Sequence, residues 1–145
     1  MTSDTTPSPG VEPAAPSWLL DGLAKRVPGI RSVLLLTSDG LKIAATGLDV
    51  DSADGSSAMA ASMFGSASTM GHALGIAPAV SQVMVEYQGH MLFMCKAGDR
   101  SVLAVLADRK SNPGLIGHEM TLLVRRVREE LETPARTAGG SADSS

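Results

Sequence analysis

The residues in this chain able to do chemistry are few: His72, His90, His118, Cys95, and the turn carboxylates Asp39 and Asp99. Neutral imidazoles could ligate a divalent metal, but these three lie far apart and lack the short spacing of a metal-binding helix. His118-Glu119 begins like a zinc-protease motif, and the second histidine does not follow. Cys95 lies in the apolar run His90 to Lys96 without a second cysteine, so it reads as a small buried hydrophobe. Asp39 and Asp99 occupy turns, where aspartate makes local hydrogen bonds, and they do not indicate an acid–base pair. The Gly-rich phosphate loops and the nucleophile elbow are absent from the sequence, so no cofactor or metal is expected. The chain does not read as an enzyme.

The elements that carry these residues follow from periodicity. Residues 1–16 hold half of the eight prolines, and residues 133–145 run Thr-Pro-Ala-Arg-Thr-Ala-Gly-Gly-Ser-Ala-Asp-Ser-Ser. Neither flank can bury enough apolar surface to offset its ordering entropy, so both are expected to be disordered tails around a domain at 17–132. Ser17 is the expected cap of a first helix, which Pro28-Gly29 ends. Ile30 to Thr37 and Leu41 to Thr46 read as a hairpin about Ser38-Asp39-Gly40. A second helix runs from a cap at Asp51 or Ser52 to about Leu74. Three strands follow, Val80 to Tyr87, His90 to Lys96 and Ser101 to Ala107. In the last helix, Asn112 is the cap and Ile116, Met120, Leu123, Val124, Val127 and Leu131 form the buried stripe. Arg125–Glu129, Arg126–Glu130 and Arg128–Glu132 are expected as ion pairs along its outer side.

The resulting order is αββαβββα. Two strands, Ile30 to Thr37 and Ser101 to Ala107, are apolar on both faces, which requires helices on both faces of one antiparallel sheet. This is an α+β fold, an α/β/α sandwich.

Charge narrows the partners. The formal net charge is −3, and between the flanks twelve acids face eleven bases. That balance lacks the field a phosphate backbone needs, so nucleic acid is not an expected partner. No apolar run is long enough to span a bilayer, and the N-terminus lacks the pattern of a secretory signal. The expected location is the cytoplasm, with any membrane recruitment supplied by partners.

The second helix is the unusual element. Its sequence, Ser-Ala-Asp-Gly-Ser-Ser-Ala-Met-Ala-Ala-Ser-Met-Phe-Gly-Ser-Ala-Ser-Thr-Met-Gly-His-Ala-Leu, has three glycines and no charge between Asp54 and His72. Each glycine costs about 1 kcal/mol against alanine in a helix. Met59, Met63, Ala67, Met70 and Leu74 form one row, and Ala60, Phe64, Ala67 or Ser68, and Gly71 form another. A helix buried on one side only would carry charge on the other. Small residues permit close backbone approach, and Met makes an adaptable surface, so the helix is expected to meet another chain as well as its own sheet. The strand Val80 to Tyr87 alternates in the manner of an open edge.

Three segments then carry a resemblance: residues 19–47, residues 83–108, and Pro113 to Val127 (PGLIGHEMTLLVRRV). Together they resemble the Roadblock/dynein light chain family, and more narrowly the Roadblock proteins of actinobacterial conservon operons. The resemblance implies a five-stranded antiparallel sheet with one long helix on one face and two terminal helices on the other. It also implies a homodimer joined through the middle helix and the adjoining strand. Met59, Met63, Phe64, Ala67, Met70, Ser81, Val83 and Val85 are the corresponding contacts here. Related bacterial proteins bind a small Ras-like GTPase on the paired middle helices and reposition its own catalytic groups without an arginine finger. No Arg occurs between Asp51 and Pro78, which agrees with that mode. Ser56, Ser66 and Thr69 are the candidate GTPase contacts, and a histidine-kinase-like protein is a further implied partner. The competing expectation is a structural adaptor in a sensor-kinase complex with no effect on nucleotide turnover. A ligand-sensing domain ranks below both, because no convergent polar cluster is visible in the sequence.

Overall fold

A computed structural model describes the backbone of residues 15–144 and the side chains of residues 17–130. The N-terminal tail expected at 1–16 lies almost wholly outside the described residues. The first helix, α1, is Ala15–Arg26 and starts ahead of Ser17, which is therefore inside the helix and not its cap. Pro16 falls in the first turn, where a missing N–H leaves no helical bond unmade.

Strands β1 (Ile30–Thr37) and β2 (Lys42–Thr46) form the expected hairpin, closed by Gly40 N–H donating to Thr37 O. The middle helix, α2, is Val50–Ala73, and β3 (Gln82–Glu86), β4 (His90–Gly98) and β5 (Ser101–Asp108) complete one five-stranded sheet. Its strand order is β2-β1-β5-β4-β3 and every pairing is antiparallel. β3 is an edge strand, shorter than the alternating run Val80 to Tyr87 suggests.

Alternation along the central strands builds two cores. Val33 and Leu35 of β1 and Leu103, Val105 and Ala107 of β5 face α1 and the last helix, α3 (Pro113–Ser144), in one buried cluster. Leu34 and Leu36 of β1 and Val102 and Ala104 of β5 face α2 in the other. Period two thus delivers adjacent residues to opposite layers, as the doubly apolar strands require.

α3 buries Ile116, Met120, Leu123 and Val127, and Asn112 caps it by accepting from Gly114 N–H at 2.9 Å and Leu115 N–H at 3.2 Å. Leu131 and the Arg128–Glu132 pair lie outside the described side chains. Its backbone is helical past Glu132 to Ser144, over the segment assigned to a tail. The Arg125–Glu129 and Arg126–Glu130 pairs do not form. Arg126 instead stands over the Trp18 ring of α1, 5.6 Å from its centroid, and Arg26 pairs with Glu119 at 2.8 Å. An Arg that precedes Glu by one turn is the weaker orientation, and a cation over an indole competes well with it.

The turn between α1 and β1 is tied to the start of α3. Ser111 Oγ donates to Pro28 O at 3.0 Å, and Asp108 N–H donates to Gly29 O at 2.9 Å. Gly29 has φ of 91°, and a Cβ there would collide with the Ser111 hydroxyl. Only glycine meets both demands.

Candidate functional site: the outer surface of the middle helix

The site is built on α2, and its cap comes first. Asp49, not Asp51 or Ser52, is the N-cap: its backbone is extended and its carboxylate accepts from Ser52 N–H at 2.7 Å. That bond holds the Asp49 carboxyl below its ordinary pKa. Leu-Asp-Val-Asp-Ser offers three good cap residues, Asp49, Asp51 and Ser52, and only the backbone conformation selects among them.

Packing decides which row of α2 faces inward. Ala53, Ser57, Ala60 and Phe64 are buried toward the sheet, Gly71 is buried beside the loop that leads to β3, and Ser57 Oγ donates to Ala53 O at 2.8 Å. Of the expected dimer contacts, Phe64 therefore belongs to its own protomer's core. Met59 and Met70 stand 62% and 61% exposed on one flank, with Met63 and Ala67 half-buried between the flank and the core. On β3, Val83 and Val85 are half-buried on the α2 side, and Ser81 is exposed just ahead of the strand. Met84 points to the other side of β3 and is 55% exposed.

The candidate GTPase contacts divide. Ser66 and Thr69 are exposed on the outermost face of α2, around a shallow depression shared with Ser62, Gly65, Met70 and Ala73. Ser56 is half-buried and lines a groove under the Met flank. It is not brought together with the other two.

The glycines separate by need. A Cβ on Gly71 would stand 3.1 Å from Pro78 Cα, so glycine there admits the α2–β3 loop. Around Gly55 and Gly65 there is nothing within 4 Å, so no contact within the protomer accounts for them.

The groove beneath the flank has a volume of about 440 Å³. Leu34, Leu92, Ala104 and Leu106 form its floor, and Met59, Ala60 and Met63 its wall. Ser32, Tyr87 and His90 also line it, from β1, the end of β3 and the start of β4. The sequence gives no sign of this groove, since its lining comes from separate elements brought side by side only by strand order.

The remaining reactive residues stay apart. His72 lies in the last turn of α2, His90 begins β4 and His118 is exposed on α3. Among the described residues, no three His, Cys, Asp or Glu side chains gather to hold a metal. Asp39 accepts from its neighbour Thr37 Oγ1 at 2.6 Å, a turn bond. Cys95 packs beside the α1/α3 core, and burial pushes its thiol up to about 11. Among the described residues, no helix is long and apolar enough to cross a membrane.

A five-stranded antiparallel sheet with a long middle helix on one face, two terminal helices on the other and an open β3 edge defines the Roadblock class of α/β/α modules. The chain belongs to the Roadblock/LC7 domain family, whose model matches residues 16–107. A Roadblock/LC7 domain from Streptomyces avermitilis is 40% identical, with a TM-score of 0.74, over 79% of this chain and 96% of that one. Myxococcus xanthus MglB is similar in fold, at 20% identity and a TM-score of 0.69, over 87% of this chain and 91% of its own. A structure of MglB in a tetrameric arrangement also shares the fold, at 16% identity and a TM-score of 0.74, over 84% of this chain and 92% of its own. No curated protein matches the sequence.

Proposed function

We propose that the chain is a homodimeric regulator that binds a small Ras-like GTPase on the outer face of α2, acting by contact and without a catalytic site of its own. One observation carries this reading. The outer face of α2 runs from Asp54 to His72 without a charge, exposes Met59 and Met70, and holds Gly55 and Gly65 in open space. A monomeric helix gains nothing from such a face, since alanine in place of either glycine would strengthen it. Small residues that no internal contact requires are explained when another backbone approaches closely. The Met flank and the β3 edge would join two copies, with Met59, Met63, Ala67, Met70, Ser81, Val83 and Val85 at the contact. Ser66 and Thr69, on the face left outward, would meet the GTPase.

With no Arg on α2, stimulation of hydrolysis would come from repositioning groups of the GTPase itself. Both partners are soluble in this account, and the cytoplasm is the proposed location. The test is single-turnover GTP hydrolysis by the Ras-like GTPase of a neighbouring gene, with and without the protein. Faster hydrolysis in its presence is expected. Binding with unchanged hydrolysis would discard the activator and leave the structural adaptor of a sensor-kinase complex. No binding would overturn the reading.

A further inference from the structure

We infer that Lys96 is a specificity contact for the partner on α2: its ammonium receives a carboxylate, carried on an apolar segment of that partner, in a notch beside the helix. This rests on the reading of α2 as a GTPase-binding helix, and it names what the GTPase must present there.

The notch lies between α2, the loop that leads to β3 and the sheet, and its volume is about 260 Å³. Small-molecule sites usually hold about 300–1,000 Å³, so a space of this size suits a side chain or two of a protein. Ala61, Phe64, Pro78, Val80 and Val102 make the lining mostly apolar. None of its residues lines the groove beneath Met59 and Met63, and none is among the contacts assigned to the second copy. Gly65 lines both this notch and the shallow depression that holds Ser66 and Thr69, so the two are continuous across the outer face of α2. A segment docked on that face reaches the notch by passing over a residue with no side chain.

Lys96 is the one charged residue of the lining. Strand register puts it there: it follows Leu92 and Met94 along the face of β4 that α2 covers, and it pairs with Val102 of β5. Among the described residues it forms no ion pair, whereas Arg26, Arg31 and Arg109 each have a carboxylate. Asp39, next to Ser38 at the margin of the notch, accepts from Thr37 Oγ1 instead.

Lys96 is exposed, so water satisfies its charge in the free protein. A docked segment removes that water, and an ammonium stripped of water without a counter-charge is unfavourable. A neutral or basic segment is therefore rejected, and one that carries a carboxylate is selected. Asp54 lies on the same flank of α2, eleven residues before Gly65 and so roughly 16 Å away along the axis. It repels the same carboxylate, so the partner fits in one direction only.

The test is the affinity of the neighbouring-gene GTPase for the full chain and for three variants. Lys96→Met keeps the stem, removes the charge and should weaken binding by about threefold or more. Lys96→Glu adds repulsion and should weaken it by at least about tenfold. Lys25→Glu makes the same change of charge on α1, across the sheet, and should bind as wild type. Added NaCl should weaken the wild type more than Lys96→Met, since only the wild type has the pair to screen. Binding of Lys96→Glu equal to wild type, an equal loss in Lys25→Glu, or the same salt response in wild type and Lys96→Met overturns this inference and leaves the reading of α2 standing. A wild type that does not bind the GTPase overturns both.

Discussion

Single residues on α2 carry opposite expectations because their surroundings differ. Gly65→Ala meets open space and gains helix propensity, so it should stabilise the protein by up to about 1 kcal/mol in thermal unfolding. The same change should weaken whatever contact the outer face makes, a loss readable in a binding titration. Gly71→Ala meets the Pro78 backbone at 3.1 Å and should lower the melting temperature. The sequence states the cost of all three glycines equally; only the position of the α2–β3 loop separates the one that packing requires from the two that it does not. The cap was legible as a type of residue and not as a position, since Asp49, Asp51 and Ser52 are equally able to accept the bond. Cys95 follows from burial alone. Its thiol stays protonated from its ordinary value of 9.0 up to about 11, and only the thiolate is a nucleophile. Iodoacetamide at neutral pH should label Cys95 slowly in the native protein and rapidly once urea unfolds it. Because the unfolded chain ionises first, that thiol lowers stability as pH rises between 9.0 and about 11.

At the scale of elements, the two faces of α2 do different work. Small residues such as Ala53, Ser57 and Ala60 let the helix lie close on the sheet, with Phe64 as the one large side chain inward. The Met row is left on a flank, above a groove. A period of 3.6 residues shows both rows in the sequence, yet it cannot say which faces the sheet; the larger, more apolar Met row would be the natural choice. Ion pairs along α3 failed for a similar reason, because Trp18 on a neighbouring helix competes for Arg126 and no local pattern reveals it. The strands were more legible, since alternation is fixed by the pleat: β1 and β5 feed two cores, and β3 shows one face in and one out. Met59→Asp with Met70→Asp tests the flank, as both side chains are more than 60% exposed. The double variant should melt within a few degrees of wild type and sediment as a monomer where wild type sediments as a dimer. Met63→Asp is a poorer probe, because Met63 packs against the α2 core and its loss would confound folding with association.

The whole molecule joins these scales through its strand order. Placing β3 at one edge and α2 across the same side of the sheet makes a continuous surface from elements that follow one another in the chain. That much the sequence could carry, by the order αββαβββα and the two doubly apolar strands. The groove could not be read, because its lining comes from α2 and from strands set side by side only by the β1–β5–β4–β3 order. Low aromatic content and eight Met agree with the soft, uncharged contact surface proposed on α2. The central claim is that the outer face of α2 is where a GTPase docks. Its most direct measurement is the affinity of the neighbouring-gene GTPase for wild type and for Thr69→Arg, a substitution at an exposed helical position. A bulky charge at the centre of that face should weaken binding by at least about tenfold with the fold and the dimer intact. Binding equal to that of wild type would contradict the account.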